Sequence, residues 1–470
     1  MSRVLAFDFG ASSGRAILAE YKNGGLTYHE VHRFDNNPTQ WQGHLCWDFD
    51  SLMANVREGI AKAGSFDSIG FDTWGVDFGL LDAQGALLGR PVHYRDARTN
   101  GVVEQALQKM DARTLYRETG NQIMPLNTLF QLLATDLTQA KTLLFMPDLF
   151  AYTLCGAAVC ERTIASTSQM LNPVTAQWSE AVLHTFGIPK ELFADSVPSG
   201  TIIGSYHGAK VIAVAGHDTQ CAVAAMPVTP QDTAHTAFLS CGTWSLFGTE
   251  LDEPILTEHS NRLALSNELG ANGKINYLKN IIGLWLIQES RREWRRQGTD
   301  YSYAELERLA LEAPALCSFI DPDAPEFTPT GDIPARVRAF CKRTGQPVPQ
   351  SVGEVMRCIY QSLALKYRYA LEQLQQVTGK EFTTLHILGG GTKDKLLCQM
   401  TANSCNIPVV AGPVEATALG NIIIQLTALG ELADLAAGRE LIARTEGLTQ
   451  YTPWEQEQWD QAYEQYKKIF

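Results

Sequence analysis

The sequence has no excess of positive charge, no closely spaced cysteine pair and no long apolar run, and each absence narrows what the chain can be. Lys and Arg number 38 against 51 Asp and Glu, for a net charge of −13. Nucleic-acid binding relies on clustered cations, so this balance excludes a phosphate-backbone partner. A small anionic ligand stays open, because backbone N–H groups hold phosphate without net basicity. The 10 cysteines are scattered, and neither Cys155 with Cys160 nor Cys398 with Cys405 has zinc-ribbon or redox spacing. They read as small buried apolar residues in a reducing compartment. The longest uncharged apolar stretch, "ATALGNIIIQLTALG", is too short and too polar to span a bilayer. Asp8 interrupts the opening "MSRVLAFDFG", which therefore shows no signal-peptide pattern. The expectation is a soluble cytoplasmic protein with no membrane partner. GxxxxGK[ST] and GxGxxG are also missing, and "HEVH" has the wrong spacing for HExxH.

What is present is a globular composition, 45% hydrophobic and 19% charged, over 470 residues, too many for one ordinary core. "RVLAFDF", "GASSGR" and "AILAEY" read as strand, small-residue turn and return strand. "HTAFLSCGTWSLFGTE" repeats that design, with Gly242 set against Gly10 and Ser245 against Ser13. Two similar hairpins, one opening each half, suggest two related domains facing across a cleft. The Pro-containing "MPVTPQDTAHT" places the boundary between domains 1–230 and 231–470. "DSLMANVREGIAKAG" predicts a helix capped at Asp50 and Ser51, and "SVGEVMRC…QQVTG" a long amphipathic helix ending at Gly379. "LKNIIGLWLIQES" predicts a buried helix whose Asn280 and Gln288 need partners. The tail "TPWEQEQWDQAYEQYKKIF" places Thr452, Pro453 and Glu455 in capping-box positions. Strands and helices alternate throughout, which is an α/β pattern.

Six stretches have residue types suited to chemistry. In "FDFGASSGR", a glycine and serine turn exposes backbone N–H groups that suit a polyphosphate. Asp8 at its mouth would repel phosphate unless a divalent cation lay between them, which points to Mg²⁺ held through water. An ordinary hairpin is the competing reading. "SCGTWS" is a second candidate cradle, with the Thr243 hydroxyl for a terminal phosphate, and "GGGTKD" offers backbone flat enough to lie against an adenine or ribose. "VIAVAGHDT" ends an apolar strand on His217, Asp218 and Thr219, and a carboxylate there either caps the following helix or does chemistry. Phosphoryl transfer needs positioning, charge neutralisation and a base for the incoming hydroxyl, and a rigidly placed aspartate suits the last of these. "DTWGVDF" and "YRDART" are the acceptor-binding candidates: Trp74 as a flat face, Gly75 for close approach, and Asp77, Arg95 and Asp96 as polyol partners.

Taken in order, "FDFGASSGR", "TWGVDF", "YRDART", "AGHDT", "SCGTWS", "LKNIIGLWLIQ", "GGGTKD" and "AGPVEATALGN" resemble the FGGY carbohydrate kinases over nearly the whole chain. The resemblance implies two actin-like (ribonuclease H-like) domains flanking an ATP and sugar cleft. It implies that Ala11, Ser12, Ser13, Gly14 and Arg15 hold the phosphates of ATP, with Thr243, Gln288 and Gly390 lining the nucleotide site. Asp218 becomes the proton acceptor, and Gly75, His217, Asp218, Thr219 and Asn280 contact the sugar. The implied partners are a small-molecule ketose and ATP, with Mg²⁺ at Asp8. The implied reaction is phosphorylation of a 6-deoxyketose at its 1-hydroxyl; the oligomeric state is left open. A non-enzymatic actin-like sugar sensor is opposed by the presence of both Asp8 and Asp218. An acetate-kinase-like enzyme would need basic residues where "TWGVDF" and "YRDART" supply aspartates.

Overall fold

Val4, Ala6 and Asp8 lie on one face of the first strand and Leu5, Phe7 and Phe9 on the other, and all six are buried. A strand apolar on both faces belongs inside a sheet with protein on each side. The computed structural model, which describes residues 1–470, shows that arrangement. The chain forms two compact units, neither of them one continuous stretch. The first comprises Met1–Pro230, Glu250–Leu278 and Ala416–Glu446, and the second Gln231–Thr249, Lys279–Glu415 and Gly447–Phe470.

The first unit is built on a six-stranded sheet in the order Thr201–Tyr206, Ala209–Ala213, Ser68–Thr73, Ser2–Phe9, Ser13–Lys22, Gly25–Asp35. Ser2–Phe9 and Ser13–Lys22 pair antiparallel as the expected hairpin, with Asp8 opposite Arg15. Ser2–Phe9, Ser68–Thr73 and Ala209–Ala213 run parallel, so their C-terminal ends share one edge of the sheet. On one face Phe7, Phe9 and Phe71 meet helices Phe49–Ala63 and Met146–Cys155, with Phe9 and Phe150 stacked 4.3 Å apart. On the other, Val4, Ala6, Ile17 and Ala19 meet Leu419, Ile422, Ile423 and Leu426 of helix Ala416–Ala428. Each of those four large side chains contributes about 1.5–3 kcal/mol through burial. Gly420 of that helix lies against helix Asp218–Ala224 so closely that a Cβ would fall 1.9 Å from the Cys221 carbonyl oxygen.

The second unit's sheet carries Trp244–Leu251, Thr236–Cys241, Thr384–Leu388, Val409–Ala411 and Thr449–Tyr451 in that order, with Thr236–Cys241 and Thr384–Leu388 parallel. Helix Val352–Thr378 opens on a capping box between Ser351 and Glu354 and ends at Gly379 in the left-handed conformation.

Three expectations about elements are corrected. Helix Phe49–Ala63 starts earlier than expected and is capped by Asp48, which accepts from the Ser51 N–H. "LKNIIGLWLIQES" is not one helix: strand Ile275–Ile282 turns at Gly283 into helix Trp285–Arg296. A Cβ at Gly283 would meet Ser245 Oγ at 2.4 Å, so the close approach of the strand hairpin breaks the apolar run there. Helix Gln456–Tyr466 has no side-chain cap; Glu455 precedes it in a left-handed conformation, and the chain docks instead through buried Trp459, Tyr463 and Tyr466. No helix is long and apolar enough to cross a membrane.

Candidate active site

Three chain segments deliver carboxylates to the shared edge of the first unit's sheet. Asp8 and Asp72 are register partners on neighbouring parallel strands. The Thr73 N–H donates to the Gly216 carbonyl at 2.9 Å and Thr73 bridges His217, so the segment after Ala209–Ala213 arrives beside them. Asp218 is the first residue of helix Asp218–Ala224, and its Oδ1 accepts from the Thr219 N–H at 2.6 Å. His217, not Asp218, occupies the cap position and makes no side-chain cap bond, and 32% of the Asp218 side chain stays open. Burial of the rest pushes the carboxyl up to about 6, against the opposing pull of the His217 ring, with Asp8 adding to the rise. That value suits a group that must be ionised at neutral pH and still take a proton.

His217 is held from both sides. Its Nε2 lies 3.3 Å from Asp218 Oδ1 and its Nδ1 2.9 Å from Glu268 Oε2. Burial opposes protonation of the ring, but Glu268, Asp218 and Glu161 outweigh it, and the pKa is raised. Glu161 braces the turn before it, accepting from the Gly216 N–H at 2.9 Å, from Thr163 and Ile164, and from the Ser199 hydroxyl. Gly75 faces this ring: a Cβ there would sit 3.5 Å from His217 Nε2 and 3.3 Å from Thr167 Cγ2. Gly75 and His217 are therefore brought together, in a space a side chain would fill.

Three of the remaining acceptor-binding candidates, Trp74, Asp77 and Asp96, are buried, and Arg95 is half-buried with its guanidinium over the Tyr94 ring. Asp77 is fully buried, accepting from Trp47 Nε1 at 2.6 Å, Trp74 Nε1 at 3.0 Å, Gln131 Nε2 at 3.0 Å and the Tyr94 N–H at 3.2 Å. Burial pushes it up to about 6 against those donors. Trp74 packs at a tilt against Trp47 with ring centres 4.0 Å apart, and Asp96 is committed to the Leu45 and Arg98 N–H groups and to His44. The Asp77 bonds to Trp74 and Tyr94 tie the loop between Thr73 and Phe78 to the segment at Tyr94. Val76 in that loop has φ +67°, costly for a β-branched residue, and Thr167 and Thr128 pin its N–H and carbonyl.

At the first hairpin, the Gly10 N–H donates to the Ser13 carbonyl at 2.9 Å and Asn36 clasps the turn from behind, leaving Ser12 exposed at the tip. Residues 10–14 also spell GxSxG, but that motif needs a strand-to-helix elbow and this turn joins two antiparallel strands. Gly14 is buried, and its missing side chain makes room for the Phe34 ring, 2.3 Å from where a Cβ would lie. Arg15 grips Asp8 through Nε at 3.0 Å and Nη2 at 2.7 Å.

Asp72, which the sequence reading passed over, accepts from Asn421 Nδ2 at 2.7 Å through Oδ2. Its Oδ1 is buried with no hydrogen-bond partner. Burial, and then Asp8, raise its pKa well above the carboxylate range. No group of three or more His, Cys, Asp or Glu side chains could cage a metal directly. Asp8 beside an unsatisfied carboxyl oxygen fits Mg²⁺, which keeps several waters and takes only one or two carboxylates.

In the second unit, the Thr243 hydroxyl lies 3.3 Å from Gln288 Oε1, because the N–H groups of Gly283 and Trp285 donate to the Thr243 carbonyl and pin the start of helix Trp285–Arg296 to the hairpin turn. The glycines of "GGGTKD" serve different ends. Gly389 takes φ +81°, Gly391 passes Cys241 Sγ with no room for a side chain, and Gly390 faces open space where a ligand can approach. Asn280 lies half-buried on strand Ile275–Ile282.

Residues 3–237 match the N-terminal domain, and residues 237–429 the C-terminal domain, of the FGGY family of carbohydrate kinases. A rhamnulokinase of Bacteroides thetaiotaomicron is 42% identical, covering 98% of this chain and 98% of that protein. One of Enterococcus faecalis is 42% identical over 93% of this chain and 92% of that protein. Among solved structures, ligand-bound xylulose kinase from Lactobacillus acidophilus superposes with a TM-score of 0.81 at 20% identity, covering 100% of this chain and 98% of that one. Plasmodium falciparum glycerol kinase with ADP gives 0.76 at 14% identity, covering 100% and 98%. The fold is that of these kinases, with two actin-like α/β domains. This chain belongs to the FGGY family of carbohydrate kinases.

Proposed function

We propose that the chain is a rhamnulokinase, transferring the γ-phosphoryl group of ATP to the 1-hydroxyl of L-rhamnulose to give L-rhamnulose 1-phosphate and ADP, a step of L-rhamnose catabolism. The observation that carries the chemistry is Asp218, partly open to solvent, raised to about 6 and set on the sheet edge beside the Asp8 hairpin. The sugar is supported by the two rhamnulokinase relatives at 42% identity. ATP as donor, and 10 free cysteines, support a cytoplasmic setting.

In this reading Gly75, His217, Thr219 and Asn280 orient the ketose with its 1-hydroxyl toward Asp218. The hydroxyl oxygen forms the new bond to the γ-phosphorus as the bond to the ADP oxygen breaks, and its proton passes to Asp218. Ala11, Ser12 and Ser13 contact the phosphates, with Gly14 and Arg15 shaping that turn and Arg15 holding Asp8. Thr243, Gln288 and Gly390 receive the nucleotide. Asp8 would hold Mg²⁺, which neutralises phosphate charge when bound.

The test is coupled ADP release with Mg-ATP over L-rhamnulose, L-fuculose, D-xylulose and glycerol. L-Rhamnulose should give the highest kcat/KM. L-Fuculose, the competing 6-deoxyketose, would replace it as substrate if its value were higher, and no sugar-stimulated turnover would end the kinase reading.

A further inference from the structure

Glu268 belongs to no motif read from the sequence, yet it holds the His217 ring from behind the candidate base. It is buried on strand Ser266–Leu269. Its Oε2 receives His217 Nδ1 at 2.9 Å and Gln220 Nε2 at 2.7 Å. Asn276 fixes the far end of Gln220 by donating to its Oε1. Gln220 and Asn276 are themselves buried, at 0% and 1% exposure, so the clamp has no solvent to exchange with. On the other side of the ring, Nε2 meets Asp218 Oδ1 at 3.3 Å and looks onto the Gly75 backbone.

This is a carboxylate–imidazole–carboxylate line with one buried end and one open end. An ionised carboxylate accepts only, so Glu268 dictates that Nδ1 carries a hydrogen and fixes the plane of the ring. Nε2 is then the nitrogen presented to Asp218. A ring held this way serves the base twice, fixing the Asp218 rotamer and placing positive charge beside the ionised carboxylate.

We infer that Glu268 is a positioning residue for phosphoryl transfer, acting through the His217 ring to orient Asp218 and set its basicity. The inference rests on Asp218 being the base, and the experiment separates the two. The groups facing the line are Glu161 beside His217, and Asp8 and Asp72 beside Asp218. All are unchanged in a Glu268 variant, so a change in pH response reports on the line itself. Glu268→Gln keeps an acceptor for Nδ1 and removes the charge.

The acid limb of kcat/KM should move up by about one pH unit in Glu268→Gln, with activity recovering toward wild type at pH 9. Glu268→Ala, which also frees the ring, should lower kcat at every pH with a smaller change in KM for the sugar. A Glu268→Gln protein with an unmoved limb overturns the inference, whether its activity is full or uniformly reduced, because a purely structural role predicts either. If Glu268→Ala fails to fold, Glu268→Gln alone decides. Asp218→Asn is run alongside: full turnover there refutes the choice of base, whereas its loss combined with an unmoved limb in Glu268→Gln refutes only the role of Glu268.

Discussion

Lowering the pH should switch this enzyme off across a window that an ordinary aspartate would pass without effect. A base must be ionised to take a proton, so kcat/KM falls as Asp218 protonates, with its midpoint at about 6. At pH 5 a carboxyl with that midpoint is about a tenth ionised, against about nine-tenths for one near 3.9, so the two cases differ by roughly ninefold in rate. The shift comes from burial of the carboxyl at the helix start and from Asp8 on the adjoining hairpin, against the pull of His217. The measurement is kcat/KM for the sugar from pH 5 to 9 at saturating Mg-ATP, with coupling enzymes in excess at each pH and far-UV circular dichroism confirming the fold. Asp218→Asn should lose on the order of 10²–10⁴ in kcat without a comparable loss of sugar binding. A flat profile down to pH 5, or an Asn variant with wild-type turnover, would refute the reasoning.

Asp77→Ala strands four buried donors and should destabilise the first unit by ~3–5 kcal/mol, read as a fall in the denaturant midpoint. Gly420→Ala would drive a methyl into the Cys221 carbonyl and displace the helix that Asp218 begins; kcat should fall at least tenfold, and an unchanged kcat would show that the contact relaxes elsewhere. Asp148 and His217 have pKa values raised in the folded state, Asp148 well above its ordinary value. The stability each contributes is complete below its unfolded value and is lost as pH rises through the folded one. His93, lowered to about 3 by burial, works the other way, but only below its unfolded value near 6.5. Tm should therefore be higher at pH 6.5 than at pH 8.5, and the opposite order would count against these assignments.

The hairpins, the long capped helix and the place of Asp218 just past a buried strand were legible because their signals are local. Alternation marks a strand over a few residues, and a charge ending an apolar run is conspicuous. The residues behind the site were not legible. His217 and Glu268 are 51 residues apart, and Asn421 and Asp72 are 349 apart. No periodicity announces that a glutamate in "SNELGANG" faces a histidine ring. Asp77 misled for a related reason, since an aspartate between aromatic residues reads as a polyol ligand until its four donors are seen. The segment 278–290 was misread because a short apolar run is ambiguous between strand and helix, and the deciding Gly283–Ser245 approach is nonlocal.

Because helix Ala416–Ala428 covers Val4, Ala6, Ile17 and Ala19, the order of synthesis matters for this protein. The ribosome finishes the sheet strands long before it reaches their cover, and at 5–20 residues per second the interval is roughly 10–40 s. Through that time the nascent sheet carries a bare apolar face, a standing invitation to chaperones or to aggregation. A product truncated before residue 416 would never close it, and would also lack Asn421, the side chain that holds Asp72.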